Sequence, residues 1–308
     1  MTQHDTRSMT EFRKIALTTG VTLNVALAGA EDAPPVILLH GFPESHRTWR
    51  DVVPLLADRF RLVMPDQRGF GGSDAPAEVS DYRIDKVVAD VFALADALGI
   101  GNFALVGHDW GGAAAWAAAI GLPKNERRAR IERLAIVNSP HPAIFQKSLI
   151  EDEAQRAASQ YMNRFRDPGF EAFVAGMGVP AFFDRSFQGH VPAGAISAAE
   201  REAYIGEWSR PGTLTGMLNW YRASMIMVPE PGAEVAMPAW VDAPFPKVRI
   251  PTCVIWGMDD TALLPLQLDG LDAFVDDLTV VKLPGVGHFA PWLAPEAVAE
   301  ALGAFLSA

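Results

Sequence analysis

The 308-residue sequence has little cysteine and no long apolar run. Its single cysteine, Cys253, cannot form an intramolecular disulfide or a thiolate metal cluster. The longest apolar stretch with helical character, residues 113–122, is far shorter than the roughly 20 residues that cross a bilayer. Residues 1–14 are polar and lack the apolar segment of a secretion signal. We therefore expect a protein of the reducing cytoplasm.

Basic residues are also scarce, since 26 lysines and arginines stand against 37 aspartates and glutamates, and the formal net charge is −11. An acidic surface repels phosphate backbones and anionic lipids, so we expect no nucleic-acid partner and no membrane association. His40 and His46 lack paired ligands, and the glycines of residues 69–72 precede no helix. We therefore expect no metal site and no cofactor. The sequence leaves the oligomeric state open, with a homodimer as one option.

The chain does contain an ordinary apolar fraction of 49%, and its two ends alternate between strand-like and helix-like segments. Such alternation predicts an α/β fold with a mainly parallel sheet and helices on both faces. The predicted strands are 22–28, 35–40, 61–65, 102–107, 132–137, 252–256 and 278–283, and the predicted helices are 83–98, 112–122, 264–275 and 295–306.

The alternation stops between residues 138 and 248, where the chain is rich in aromatic residues, methionine and proline. Segments 151–165 and 198–209 in this stretch look helical. We predict an α/β core of residues 1–138 and 246–308, interrupted by a helical cap of residues 139–245.

A strong chemical signal lies in Gly107-His108-Asp109-Trp110-Gly111, between a buried strand and a helix. Small residues two before and two after Asp109 allow a tight strand-to-helix turn that exposes the central side chain above the sheet. The amino end of the following helix favours an ionised carboxylate. The structural alternative is an ordinary turn in which Asp109 only caps the helix.

Three further motifs follow predicted strands, and each alone also fits an ordinary turn or a surface residue. In His40-Gly41-Phe42-Pro43, the Phe42 N–H could join that of Trp110 as an oxyanion hole. In Gly287-His288-Phe289, His288 lies beyond the carboxyl end of a strand, at the functional edge of an open sheet. Asp260 lies in the third motif, residues 256–260.

The order of Asp109, Asp260 and His288 along the chain is that of nucleophile, acid and histidine in one catalytic architecture. With the HGFP tetrapeptide and the loop of residues 66–73, the sequence resembles proteins of the α/β-hydrolase fold over nearly its whole length. The resemblance implies that Asp260 orients His288. Asp259 is adjacent and could substitute, whereas some relatives place this acid at the position of Asn138.

An aspartate at the turn changes the expected chemistry. Serine there suits acyl transfer, but a carboxylate with a reference pKa of about 3.9 is already ionised and can attack a saturated carbon. The product is an alkyl ester of the enzyme, which a histidine-activated water then hydrolyses. Asp109 therefore favours epoxide opening or carbon–halogen cleavage over ester or peptide hydrolysis.

The leaving group separates these two reactions, because an epoxide oxygen leaves as a basic alkoxide and benefits from a phenol donor. Segments 160–165 and 217–222 are similar to the lid of the soluble epoxide hydrolases, where two tyrosines grip the epoxide oxygen. The resemblance assigns these roles to Tyr161 and Tyr221, although both could merely pack in the cap. Tyr204 lies in no motif. We expect a small hydrophobic epoxide and water as substrates, and a pocket lined by Phe42, Trp110, Phe165, Met217 and Phe289.

Two alternatives stay open: a haloalkane or haloacid dehalogenase that uses the same aspartate nucleophile, and a protein without catalytic activity. Haloalkane dehalogenases also carry a tryptophan like Trp110, but they often have asparagine where this chain has Phe42. Fluoroacetate dehalogenases have arginines where this chain has Trp110 and Ala113, and a His-Trp pair at the positions of Tyr161 and Met162. The second alternative is a non-catalytic ligand-binding protein of the same fold.

Overall fold

The computed structural model describes residues 10–120, 130–241 and 243–308, and within them the chain forms one eight-stranded sheet. The strand order is β1-β2-β4-β3-β5-β6-β7-β8. The β1/β2 and β2/β4 pairs are antiparallel and the other pairs are parallel, which confirms the predicted fold class. The strands are β1 Glu11–Ala16, β2 Thr22–Ala28, β3 Pro35–Leu39, β4 Arg61–Pro65, β5 Phe103–His108, β6 Ile131–Val137, β7 Thr252–Gly257 and β8 Leu278–Leu283.

The central strands are apolar throughout because both faces of the sheet are covered. Successive residues of β3 alternate between two hydrophobic clusters: Ile37 and Leu39 belong to one, and Val36 and Leu38 to the other. The helices in the described residues are α1 Ile84–Ala97, α2 Trp110–Ile120, α3 Pro142–Glu151, α4 Glu153–Ala158, α5 Tyr161–Arg166, α6 Phe170–Met177, α7 Val179–Phe187, α8 Ala198–Trp208, α9 Thr213–Ala223, α10 Ala290–Leu293 and α11 Pro295–Ser307.

The helices α3 to α9 all lie between β6 and β7, in the stretch where the sequence predicts a cap. They are tied to the α/β part of the chain by polar contacts. The Trp220 indole N–H of α9 donates to the Arg68 carbonyl at 3.0 Å, and Arg47 pairs with Glu207 of α8 at 2.8 Å. The bounds given above for the core and the cap stay a prediction.

Three expectations about local structure are wrong or incomplete. Strand β1 was not expected, because its residues are polar and mostly exposed at the sheet edge. The helix predicted for 264–275 is instead two short 3-10 turns, separated by Gly270, whose φ of +78° breaks helical continuity. The segment 151–165 spans the end of α3, α4 and most of α5 rather than one helix, and Asp152 caps α4 by accepting from the Gln155 N–H.

Some expectations fall outside the described residues, namely residues 121–122 of one predicted helix and residues 1–9 of the amino-terminal segment. In the part of the chain that is described, no helix is long and apolar enough to cross a membrane.

Candidate active site

Asp109 sits at a sharp turn between β5 and α2, with φ at +50°. Positive φ is uncommon for a residue with a side chain and marks local strain that the surrounding fold holds in place. Two glycines make this turn possible: a Cβ at Gly107 would collide with the Gly111 carbonyl, and one at Gly111 would collide with the Leu39 carbonyl. The fold thus keeps the Asp109 carboxylate at the carboxyl edge of the sheet.

The two oxygens of the Asp109 carboxylate have different neighbours. The Phe42 N–H donates to Oδ1 at 2.7 Å, and His288 Nε2 lies 3.6 Å from Oδ2. Trp110 is the first residue of α2, where backbone N–H groups have no partner within the helix. One carboxylate oxygen therefore accepts from the Phe42 backbone N–H, and the other faces an imidazole.

Asp260 is the acid that the structure brings to His288. Its Oδ2 lies 2.8 Å from His288 Nδ1, and its Oδ1 accepts from the N–H groups of Ala262 and Leu263, each at 2.9 Å. This arrangement favours Asp260 over Asp259 as the partner of His288. Both Asp260 and His288 are buried, so the contact between them is shielded from bulk solvent.

Asn138 is a site residue that the sequence reasoning missed. Its Nδ2 donates to Asp260 Oδ2 at 2.8 Å, and its Oδ1 accepts from the Gly257 N–H at 3.0 Å. Like Asp109, it has positive φ, +42°, directly after a strand. Its position after β6, where some relatives place the acid, was the available signal, but a residue without charge there predicted no role. Asn138 instead fixes the carboxylate that contacts His288.

The pKa values of Asp109, Asp260 and His288 depend on one another. Burial lowers the pKa of His288, but the neighbouring carboxylates Asp260 and Asp109 outweigh burial and raise this pKa well above its usual value. Burial raises the pKa of Asp109 and of Asp260, yet the contact with His288 leaves both below the usual range. The two carboxylates therefore favour a protonated imidazole, and the imidazolium in turn favours ionised carboxylates.

The two tyrosines face this group from the helices between β6 and β7. Tyr161 begins α5 and Tyr221 lies near the end of α9, with their ring centroids 6.1 Å apart. Burial, together with the charge of Asp109, raises the pKa of both phenols. Both hydroxyls therefore stay protonated at neutral pH and can donate hydrogen bonds. The Trp110 and Tyr221 rings pack edge to face, with their centroids 5.1 Å apart.

Two cavities meet at these residues, and each is lined by Asp109, Tyr161 and Tyr221. Their volumes are about 250 Å³ and about 80 Å³. Among the predicted pocket residues, three line the larger cavity, namely Phe42, Phe165 and Phe289, and Trp110 lines the smaller one.

Met217 corrects the predicted pocket. It is fully buried in the hydrophobic core and lines neither cavity. It lies one turn before Tyr221 on α9, and the cavity-facing position of this helix is taken by Tyr221. Its apolar character reflects packing of α9, which the sequence pattern alone cannot separate from pocket lining.

No group of three or more histidine, cysteine or acidic side chains is placed to hold a metal ion within residues 10–120, 130–241 and 243–308.

A family model described as the α/β hydrolase fold matches residues 34–295. Two curated proteins align well with this chain. Epoxide hydrolase A of Mycobacterium tuberculosis is 32% identical over 94% of this chain and 94% of its own length. The AB hydrolase superfamily protein YfhM of Bacillus subtilis is 33% identical over 80% of each chain. The chain therefore belongs to the α/β hydrolase fold family.

Solved structures give a consistent result. A structure described under novel epoxide hydrolases of this superfamily, from metagenomes of hot environments, has a TM-score of 0.88 and 47% identity. That match covers 97% of this chain and 99% of the other. An epoxide hydrolase of Bacillus megaterium, solved with an inhibitor, has a TM-score of 0.82 and 27% identity over 97% of this chain and 100% of its own. The resemblance to epoxide hydrolases predicted from the sequence is confirmed.

Proposed function

We propose that this protein is an epoxide hydrolase that adds water to a small hydrophobic epoxide and releases a vicinal diol, through an alkyl ester of Asp109. The observation that supports this most strongly is that three side chains, those of Asp109, Tyr161 and Tyr221, line both cavities. An epoxide suits a carboxylate nucleophile with two phenol donors. Its leaving oxygen stays bonded to the second ring carbon and accepts a proton from a phenol.

In the first step, Asp109 Oδ2 attacks one epoxide carbon, because Oδ1 is held by the Phe42 N–H. A carbon–oxygen bond forms and the epoxide carbon–oxygen bond breaks. The released alkoxide accepts hydrogen bonds from both phenols and takes a proton from one of them. The protonated His288 then returns a proton to the phenolate, which leaves a neutral imidazole.

The second step depends on a change in charge. Asp109 is one of the two carboxylates that raise the pKa of His288, and esterification removes its negative charge. The pKa of His288 therefore falls once the ester has formed, and the imidazole can accept a proton from water. The hydroxide attacks Cγ of Asp109. The ester bond breaks, the departing alkoxide takes the proton of the carboxylic acid formed on Asp109, and the diol leaves with the former Oδ2 atom.

The remaining groups hold these reactants in place. The N–H groups of Phe42 and Trp110 stabilise the oxyanion that forms on Oδ1 during ester hydrolysis. Asp260 orients His288, and Asn138 holds Asp260. In this proposal residues 139–245 form the cap that carries both tyrosines, and residues 1–138 and 246–308 form the core that carries the nucleophile and base. No cofactor takes part.

The two phenols support an epoxide over a halogenated substrate, because a halide leaves as a stable anion and needs no proton, whereas the alkoxide from an epoxide takes one from a donor such as Tyr161 or Tyr221. A cytoplasmic location is supported by a fold whose single cysteine, Cys253, is buried and unpaired.

The function is tested with a panel of epoxides, including styrene oxide and aliphatic epoxides, assayed beside chloro- and bromoalkanes. We expect diol from the epoxides and little halide from the haloalkanes, and Asp109→Asn should produce no diol. Rapid halide release without diol formation would replace the proposal with a dehalogenase.

A further inference from the structure

The larger cavity has an unusual charge distribution for an acidic protein. Its lining, as far as the chain is described, contains one carboxylate, Asp109, and two arginines, Arg164 and Arg185. Both arginines are exposed to solvent. Since the chain carries a net charge of −11, positive charge at this cavity is not a general property of the surface.

These two arginines also lack partners. Among the described residues, only Arg164, Arg185 and Arg249 have a guanidinium without a hydrogen bond, an ion pair or an aromatic contact. Two of these three line the larger cavity, and Arg249 does not. The acid next to Arg185 in sequence, Asp184, is already held by Arg201 through two contacts of 2.8 Å.

Both arginines lie on helix faces that line the larger cavity together with Asp109 and the two tyrosines. On α5, Tyr161, Arg164 and Phe165 line the cavity at positions i, i+3 and i+4, which share one face of a helix. On α7, Phe182 and Arg185 repeat this i and i+3 spacing. Each helix thus presents an aromatic side chain and, one turn later, an unpaired guanidinium.

The smaller cavity provides a contrast. It is lined by apolar side chains such as Phe145, Ile226 and Leu263, and Asp109 is its only charged residue within the described chain. A substrate bound across both cavities would therefore meet an apolar wall on one side of the epoxide. On the other side it would meet aromatic rings followed by two cations.

Building on the proposed epoxide hydrolysis, the geometry points to a specific substrate class: epoxides whose larger substituent is apolar near the ring and ends in a carboxylate. The planar guanidinium groups of Arg164 and Arg185 match a carboxylate in shape and charge. The phenylalanines that line the same cavity contact the apolar part of that substituent.

The test compares kcat/KM for 4-(oxiran-2-yl)benzoate with that for its methyl ester, which keeps the ring and the epoxide but has no charge. We expect the wild-type protein to prefer the acid. An exposed ion pair contributes up to about fivefold in binding, so Arg164→Gln and Arg185→Gln should each lower the acid-to-ester ratio about threefold to fivefold, and the double variant about tenfold. Arg249→Gln is the matched control and should leave the ratio unchanged.

Salt provides a second measurement that needs no variant. Raising the ionic strength from about 0.05 M to about 0.5 M should reduce the acid-to-ester ratio of the wild-type protein and have little effect on that of the double variant, since salt screens exposed charges. Equal turnover of acid and ester, insensitive to salt and to both substitutions, would overturn the substrate class but leave epoxide hydrolysis intact. Turnover of neither compound, nor of any other epoxide, would instead contradict the proposed function.

Discussion

Removal of the two phenol hydroxyls tests how much each tyrosine contributes to the rate of the ring-opening step. Tyr221 is 2% exposed and Tyr161 is partly exposed, so a water molecule replaces the lost hydroxyl less readily in Tyr221→Phe than in Tyr161→Phe. A hydrogen bond to a charged group contributes about 1.5–3 kcal/mol, which corresponds to about tenfold to 150-fold in rate. We expect Tyr221→Phe to fall at the upper end of this range and Tyr161→Phe at the lower end.

The double variant removes every phenol from the junction of the two cavities, and its ring-opening rate should fall about 10³-fold. The assay is a rapid-quench single turnover of styrene oxide with enzyme in excess, in which the covalent adduct is followed by intact mass. Tyr204→Phe is the matched control. Tyr204 is fully buried, and within the described part of the chain its hydroxyl has no hydrogen-bond partner. A double variant that opens the epoxide within threefold of the wild-type rate would refute the assigned role.

Three further outcomes are expected from the same site. His288→Gln should open an epoxide once and accumulate a covalent adduct, detected by intact mass, because it lacks the base of the second step; absence of the adduct would count against that assignment. In Asn138→Ala, Asp260 loses a buried hydrogen-bond donor. Turnover should slow about tenfold, measured by steady-state kinetics, and the free energy of unfolding should fall by about 1–3 kcal/mol, measured by chemical denaturation. The single-turnover rate should show no loss from phenol ionisation up to about pH 10, the ordinary phenol pKa, because the pKa of both tyrosines is raised. A decline centred below that pH that is present in the wild-type protein and absent from Tyr161→Phe or Tyr221→Phe would contradict it.

The sequence predicted the central strands and the residues directly after them most accurately. Continuous apolar runs predicted the central strands to within a residue or two, because strands covered on both faces cannot carry polar side chains. The residues that follow those strands were found because parallel strands bring their carboxyl ends to one edge. Asp109, Asp260 and His288 each follow a predicted strand, and the resemblance to the α/β-hydrolase fold assigned Asp260 to His288.

The sequence was less informative where tertiary contacts decide the outcome. Apolar spacing in residues 264–275 is compatible with a helix, but Gly270 in a left-handed conformation divides the segment into 3-10 turns. Met217 and Phe165 are both apolar residues of short helices, and only packing shows that one is core and the other lines a cavity. Asn138 carries no charge, so its part in holding Asp260 became visible only through its hydrogen bonds.

The central claim is that Asp109 Oδ2, and not water, forms the new bond to carbon. One turnover in H₂¹⁸O with enzyme in excess tests this directly, because water then attacks Cγ of Asp109 and the diol leaves with an oxygen from the protein. We predict heavy oxygen in the Asp109 carboxylate, detected by mass spectrometry of the peptide that contains it, and an unlabelled diol. A labelled diol with an unlabelled Asp109 would mean that water attacks the epoxide itself, and would contradict the account.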